Sequence, residues 1–182
     1  MNSRQTSKLL YLMISVLLIQ ASDLLAQEGS PPELGILDPG TAEEGGEAPD
    51  FRLRDLDMNL VQLSELRGTP VVLNFFASWC GPCIIEMPYI QAAHDQAADN
   101  GYVVLGVAVQ DSRLAIEDMM AGGNFTYPAV IDGDSSVKHA YQVLGPPYTF
   151  FIDRDGIIQT VVPGALEQET LDLEIAQLLE TE

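Results

Sequence analysis

From residue 49 onward, apolar and polar positions follow two rhythms, one of period two and one near 3.6. "FRLRDL" and "LVQLSEL" alternate around "DMN", which predicts a hairpin-like entry. "VVLNFF" (residues 71–76) is a nearly continuous apolar run, the mark of a strand covered on both faces. A helix is predicted from residue 80 to about residue 98, then a buried strand "YVVLGVAV" and a helix "SRLAIEDMM" with Ser112 as its cap. "AVID" reads as a short strand, "SSVKHAYQV" as a helix, and "YTFFID" and "IIQTVV" as strands joined by the turn "DRDG". Over the tail, Leu171, Ile175, Leu178 and Leu179 fall on one helical face. Strands alternating with helices predict an α/β domain with a central sheet, and no internal repeat is visible.

Upstream the texture changes. Residues 27–48 hold five Gly, three Pro and six acids, with no base and no aromatic residue. Such a composition buries too little surface to offset ordering, so a flexible acidic linker is expected there. Residues 1–26 begin with Arg4 and Lys8, continue into an uncharged run over residues 9–19, and carry small residues at Ala21 and Ala26. That run is shorter than the roughly 20 residues a membrane-spanning helix requires. It predicts an export signal peptide, with an uncleaved membrane anchor as the alternative. The folded domain is then expected over residues 49–182, within the ordinary size of one domain.

Charge narrows the partners. The chain of 182 residues carries a formal net charge of −19, and loss of residues 1–26 would make it −20. An acidic body repels nucleic acid, anionic lipid and anionic small thiols such as glutathione. Solubility is the plainer consequence of the same charge. Nucleic acid is therefore not an expected partner, and a monomer is expected.

Both cysteines, Cys80 and Cys83, lie in "NFFASWCGPCIIEMP". Three uses are open: a metal clip, a staple, or a pair that opens and closes. A bridge between them would close almost no loop and so constrain the unfolded chain little, which makes it a poor staple. Two thiolates alone are an incomplete tetrahedral zinc site. A strand leading straight into C-x-x-C at a helix start has another use. The helix N-terminus carries unpaired N–H groups and partial positive charge, which favour the thiolate of Cys80. Cys83, one turn on, is placed to resolve a mixed disulfide formed by Cys80. Gly81 permits the tight turn, and Pro82 suits the first helical turn, where no N–H bond is lost.

"WCGPC" is identical to the thioredoxin active-site motif, and the wider pattern resembles the extracytoplasmic TlpA/ResA-like branch of that superfamily. The resemblance covers about residues 48–179 and implies a thioredoxin-like fold. That means a central mixed sheet flanked by helices, with an N-terminal β extension and a central helix–strand insertion. Pro88 matches the proline inside the first helix of thioredoxins. "GPPYTFFID" resembles the segment bearing the family's cis-proline, which makes Pro147 the candidate. The chain departs from the pattern at Pro146, which has no N–H to offer a substrate, and at Tyr148, which replaces a threonine. Substrate docking is therefore expected to rest on apolar contact with Trp79, Pro146 and Tyr148 beside Gly81, Pro82 and Pro147. Where thioredoxins carry a buried Asp before the motif, this chain has Asn74, which cannot titrate. Glu86, three residues after Cys83, matches a Glu of the TlpA/ResA-like branch and is the expected proton acceptor. Ile84, Ile85 and Met87 beside it argue against full exposure.

The expectation is an extracytoplasmic thiol–disulfide oxidoreductase, periplasmic, secreted or anchored to the outer face of the cytoplasmic membrane, with no bound cofactor. By resemblance its clients are protein disulfides, as in cytochrome c maturation, and its electrons come from a membrane thiol carrier. The Gly-Pro dipeptide favours a reducing poise, about −270 mV in thioredoxin. A peroxiredoxin-like peroxidase is one alternative, weakened by Leu73 and Ala77 where that family has Pro and Thr. A dithiol metal-binding or copper-delivery module is the other. His94 and His139 are expected on helix surfaces, Asp153 and Asp155 in a turn, and Tyr141 in the core.

Overall fold

The computed structural model describes residues 34–180. The segment expected to direct export, residues 1–26, and the first part of the acidic linker lie outside them. In chain order the strands are β1 (Gly35–Asp38), β2 (Asp50–Asp55), β3 (Leu60–Gln62), β4 (Val71–Phe76), β5 (Val103–Val109), β6 (Ala129–Asp132), β7 (Tyr148–Ile152) and β8 (Ile158–Pro163). The helices are α1 (Gly81–Asn100), α2 (Arg113–Gly123), α3 (Ser136–Ala140) and α4 (Gln168–Glu180).

The strands form one mixed sheet in the order β1-β2-β6-β5-β4-β7-β8, with β3 paired to β2. β4, β5 and β6 run parallel, whereas β7 joins β4 antiparallel and β8 joins β7 antiparallel. Both faces are covered, which explains why β4 reads as a nearly continuous apolar run. Its alternation still decides where each side chain goes. Val72 and Phe76 pack with Met87 and Ile90 of α1 and Leu171 and Leu178 of α4. Val71, Leu73 and Phe75 pack on the other face with Val137 and Tyr141. By the same parity Asn74 points towards α1. The insertion of α2 and β6 lies between β5 and β7 in the chain, as the thioredoxin-like expectation required.

Several expectations change in detail. The "LSEL" stretch is a 3-10 turn (Leu63–Leu66) rather than a strand, and α3 is only five residues long. The larger correction concerns the acidic linker. Its second part is not a tether: β1 pairs antiparallel with β2, and residues 41–48 fasten onto the β7–β8 hairpin. Gly45 N–H donates to Ile158 O at 2.8 Å, Ile158 N–H to Gly46 O at 2.9 Å, and Ala48 N–H to Gly156 O at 2.9 Å. Glu47 also pairs with Arg67 at 2.7 Å. Backbone groups need no apolar side chains to bond, so a segment poor in hydrophobic residues is ordered by its neighbours' carbonyls. Gly46 is required in that turn, because a Cβ there would stand 2.3 Å from the Thr41 carbonyl.

Candidate active site

β4 ends at Phe76, and the chain turns through Ala77–Trp79 to Cys80, the N-cap of α1. Cys80 keeps extended backbone (φ −90°, ψ 101°), and its Sγ accepts a hydrogen bond from Cys83 N–H at 3.2 Å. Gly81 and Pro82 occupy the first helical positions, where the missing proline N–H leaves no bond unmade. Cys80 and Cys83 are joined as a disulfide. The two sulfurs differ in access: Cys80 retains 5% exposure and Cys83 none. Once the bridge opens, the helix end and the Cys83 N–H both face the Cys80 sulfur and favour its thiolate.

Opposite the sulfur lies the loop before β7. The Pro146–Pro147 peptide is cis, as read from the sequence for Pro147. Pro147 is buried, while Pro146 and Tyr148 are half-buried. The Pro146 carbonyl oxygen lies 3.5 Å from Cys80 Sγ. Gly164 N–H donates to Pro147 O at 2.9 Å, which ties the loop after β8 to the same spot. On the other side Ser78 N–H donates to Asp111 Oδ2 at 2.7 Å, and the Trp79 indole N–H to Gln110 O at 3.2 Å. Trp79 thereby stands fixed at its nitrogen end with its ring 58% exposed.

Beneath the sulfurs, Glu86 is fully buried on the same side of α1 as Cys83. Its Oε1 accepts from Asn74 Nδ2 at 2.9 Å and its Oε2 from Leu166 N–H at 2.8 Å. Asn74 Nδ2 also donates to Thr149 Oγ1 at 3.0 Å, while its own Oδ1 is buried without a partner among the described residues. Burial raises the Glu86 carboxyl above its ordinary 4.5, and the two N–H donors oppose that rise only in part. The nearby Tyr127 hydroxyl likewise has no partner among the described residues, and burial together with the Glu86 charge pushes its pKa up.

The sequence expected Glu86 not to be fully exposed, from Ile84, Ile85 and Met87 beside it, and Glu86 is buried. Met87 is buried with it, whereas Ile84 and Ile85 are 48% and 69% exposed. The partners that hold the carboxyl come from β4 and from the loop at Leu166. The roles of Thr149, Leu166 and Asp111 were missed, and only Asn74 carried a signal, as the single polar residue inside an apolar strand. His139 is exposed on α3 and His94 half-buried on α1, and neither joins the site. Asp153 shapes the β7–β8 turn by accepting from the Asp155 and Ile157 N–H groups. Among the described residues no group of three or more His, Cys, Asp or Glu is placed to hold a metal ion.

Comparison with known proteins agrees with this geometry. The AhpC/TSA family model matches residues 45–161. The thiol-disulfide oxidoreductase ResA of Oceanobacillus iheyensis is 36% identical over 132 residues, covering 70% of this chain and 69% of the relative. Among solved structures, a secreted disulfide oxidoreductase of Mycobacterium tuberculosis, described as homologous to DsbE of E. coli, superposes with a TM-score of 0.64. It is 26% identical and covers 70% of this chain and 96% of its own. An exposed lipoprotein thioredoxin of Streptococcus pneumoniae gives a TM-score of 0.64 at 28% identity, over 71% of this chain and 99% of its own. The chain belongs to the ResA-like thiol-disulfide oxidoreductases of the AhpC/TSA family, a thioredoxin-fold group.

Proposed function

We propose that this oxidoreductase works outside the cytoplasm as a reductant of protein disulfides, including those of cytochrome c precursors, and is recharged by a membrane thiol carrier. One observation carries the reading: a partly accessible Cys80 at a helix tip stands over a buried Cys83 and a buried carboxyl. In the reduced protein the Cys80 thiolate attacks one sulfur of a client disulfide. A Cys80–client disulfide forms, and the other client sulfur leaves as a thiolate that takes a proton from water. Cys83 then passes its proton to Glu86 and attacks Cys80 Sγ, which releases the second client thiol. Two electrons have moved to the client, and the protein is left with the Cys80–Cys83 bridge. Asn74 suits both states of Glu86: its Nδ2 serves the carboxylate, and a half-turn of the amide would offer Oδ1 to the protonated acid.

The client segment would lie against Trp79, Gly81, Pro82, Pro146, Pro147 and Tyr148. Because Pro146 offers a carbonyl but no N–H, main-chain pairing is reduced and apolar contact gains weight. Location outside the cytoplasm is supported by the secreted and exposed proteins among the structural relatives. Among the described residues no helix is long and apolar enough to cross a membrane. The peroxidase reading lacks support at the site, since Leu73 and Ala77 are both fully buried and carry no hydroxyl.

The test is the reduction potential of the dithiol together with trapping by Cys83→Ser. A value near about −270 mV and accumulation of client mixed disulfides on Cys80 support the reductase reading. A value near about −120 mV would make the protein an oxidant and overturn it.

A further inference from the structure

The surface around the dithiol combines exposed apolar side chains with charge of one sign. Trp79, Ile84, Ile85 and Leu144 are 58%, 48%, 69% and 88% exposed, and all four lie within five residues of a cysteine or of Pro146. The loops at this end of the sheet are residues 77–80, 110–112, 133–135, 144–147 and 164–167. They contain no Lys and no Arg. They do contain acids: Asp111 is half-buried beside Ser78, and Asp134 and Glu167 are exposed. Glu169 follows, exposed in the first turn of α4. The nearest cation in sequence, Arg113, is engaged by the Leu56 carbonyl at 3.2 Å and by Glu117. Lys138 is buried on α3. Among the described residues, Arg67 is paired with Glu47 and Arg154 lies in the β7–β8 turn, while Arg52 and Arg54 lie on β2, Arg54 opposite Ile131 of β6, and are engaged by the Gln62 side chain and the Met58 carbonyl.

We infer that this end of the molecule selects cationic polypeptide segments that carry an apolar residue beside the reacting cysteine. The inference rests on the reductase reading and names its substrate class. An apolar collar beside loops whose charged residues are all acids is complementary to such a segment in both respects. It disfavours anionic disulfides, including glutathione disulfide. The effect is on encounter: a negative field concentrates positive substrates at the sulfur and weakens as salt screens it.

The experiment uses the reduced protein and short synthetic peptides with one cysteine held as a mixed disulfide with 2-thiopyridine. The peptides share leucine beside the cysteine and differ only in flanking Lys, Ser or Glu. Cys80 attacks the peptide sulfur and thiopyridone leaves; Cys83 then frees the peptide thiol and the protein ends oxidised. Each rate is divided by that of the same peptide with dithiothreitol, which removes the intrinsic reactivity of the disulfide. At low salt the Lys peptide should exceed the Glu peptide by about tenfold or more, with Ser between, and the gap should close at high salt. Glu167→Gln with Glu169→Gln should narrow the gap and leave the Ser peptide unchanged. Equal normalised rates, or a preference that ignores both salt and the double variant, would overturn the selectivity while leaving the reductase reading intact. Failure to reduce any of the peptides would overturn both.

Discussion

Two faces of α1 carry side chains of opposite character to their surroundings. Ile84 and Ile85 stand 48% and 69% exposed on the outer face, while Glu86, the next residue, is fully buried on the inner one. A helix that merely covered a sheet would reverse this, with isoleucine inward and glutamate in water. Further along α1 the ordinary rule returns: Ile90, Ala93 and Ala97 are buried, and Asp95 and Asp99 are exposed. The inversion is confined to the turns that carry the cysteines. Neither half of it helps folding, since exposed apolar area forgoes burial and a buried carboxyl loses hydration. Both halves make sense at the sulfurs under the proposed function, in which the outer face would meet a client and the inner face would take a proton.

The largest expected effect comes from the inner face. Glu86→Gln removes the proposed proton acceptor and should slow Cys83 attack on a preformed Cys80 mixed disulfide by about 10²-fold near neutral pH. In the native protein that step should accelerate as pH rises through the carboxyl's raised pKa, because only the ionised form accepts a proton. In the variant this limb should vanish. Stopped-flow release of the trapped thiol against pH reads both. An unchanged profile would remove Glu86 from the reaction and leave its burial a purely structural fact.

The same carboxyl should mark stability, with a sign that follows from its direction of shift. Its native pKa lies above the ordinary 4.5, so the folded state holds the proton more tightly than the unfolded one. Its stabilising contribution is complete below 4.5 and is lost as pH rises through the native value. Urea unfolding of the oxidised native protein and of Glu86→Gln should therefore diverge with pH. The difference should move against the native protein by at most about 1.4 kcal/mol per pH unit in that window. The amide sets one N–H against the Leu166 or Asn74 donor, an offset that pH does not alter, so the slope is the quantity to read. A flat difference would mean the donors cancel the effect of burial.

Much of this was legible in the chain, and the gaps have physical causes. Continuous apolar runs located β4 and β5, and the 3.6-residue spacing of Leu171, Ile175 and Leu178 located α4, because those elements bury continuous apolar faces. Spacing from Cys83 pointed to Glu86. Its partners could not be read, since Leu166 lies 80 residues away and contributes only a backbone N–H, which leaves no mark in composition. The linker over residues 34–48 failed for the same reason: its order comes from main-chain bonds to the β7–β8 hairpin and β2. The expectation that Glu86 is not fully exposed held, but only Met87 of its three apolar neighbours is buried with it. A step of one residue turns the helix by about 100° and sends adjacent side chains to different sides, so sequence neighbours alone do not show what covers a side chain.

The smallest effect belongs to the outer face and completes the comparison. Ile85→Ser removes an apolar group that folding leaves largely in water, so the unfolding free energy should stay within about 0.5 kcal/mol of native. A client that covers this face would bury the isoleucine, and losing that contact should cost about 1 kcal/mol, or roughly fivefold in kcat/KM for a protein disulfide. Reduction of a small disulfide that reaches only the sulfur should be unaffected. The three measurements separate the explanations cleanly. A loss of stability would show that Ile85 belongs to the core after all. A fall for the small substrate as well would point to a disturbed Cys80. Only the selective loss assigns the exposed isoleucine to recognition, and with it the division of α1 into a face for the client and a face for the proton.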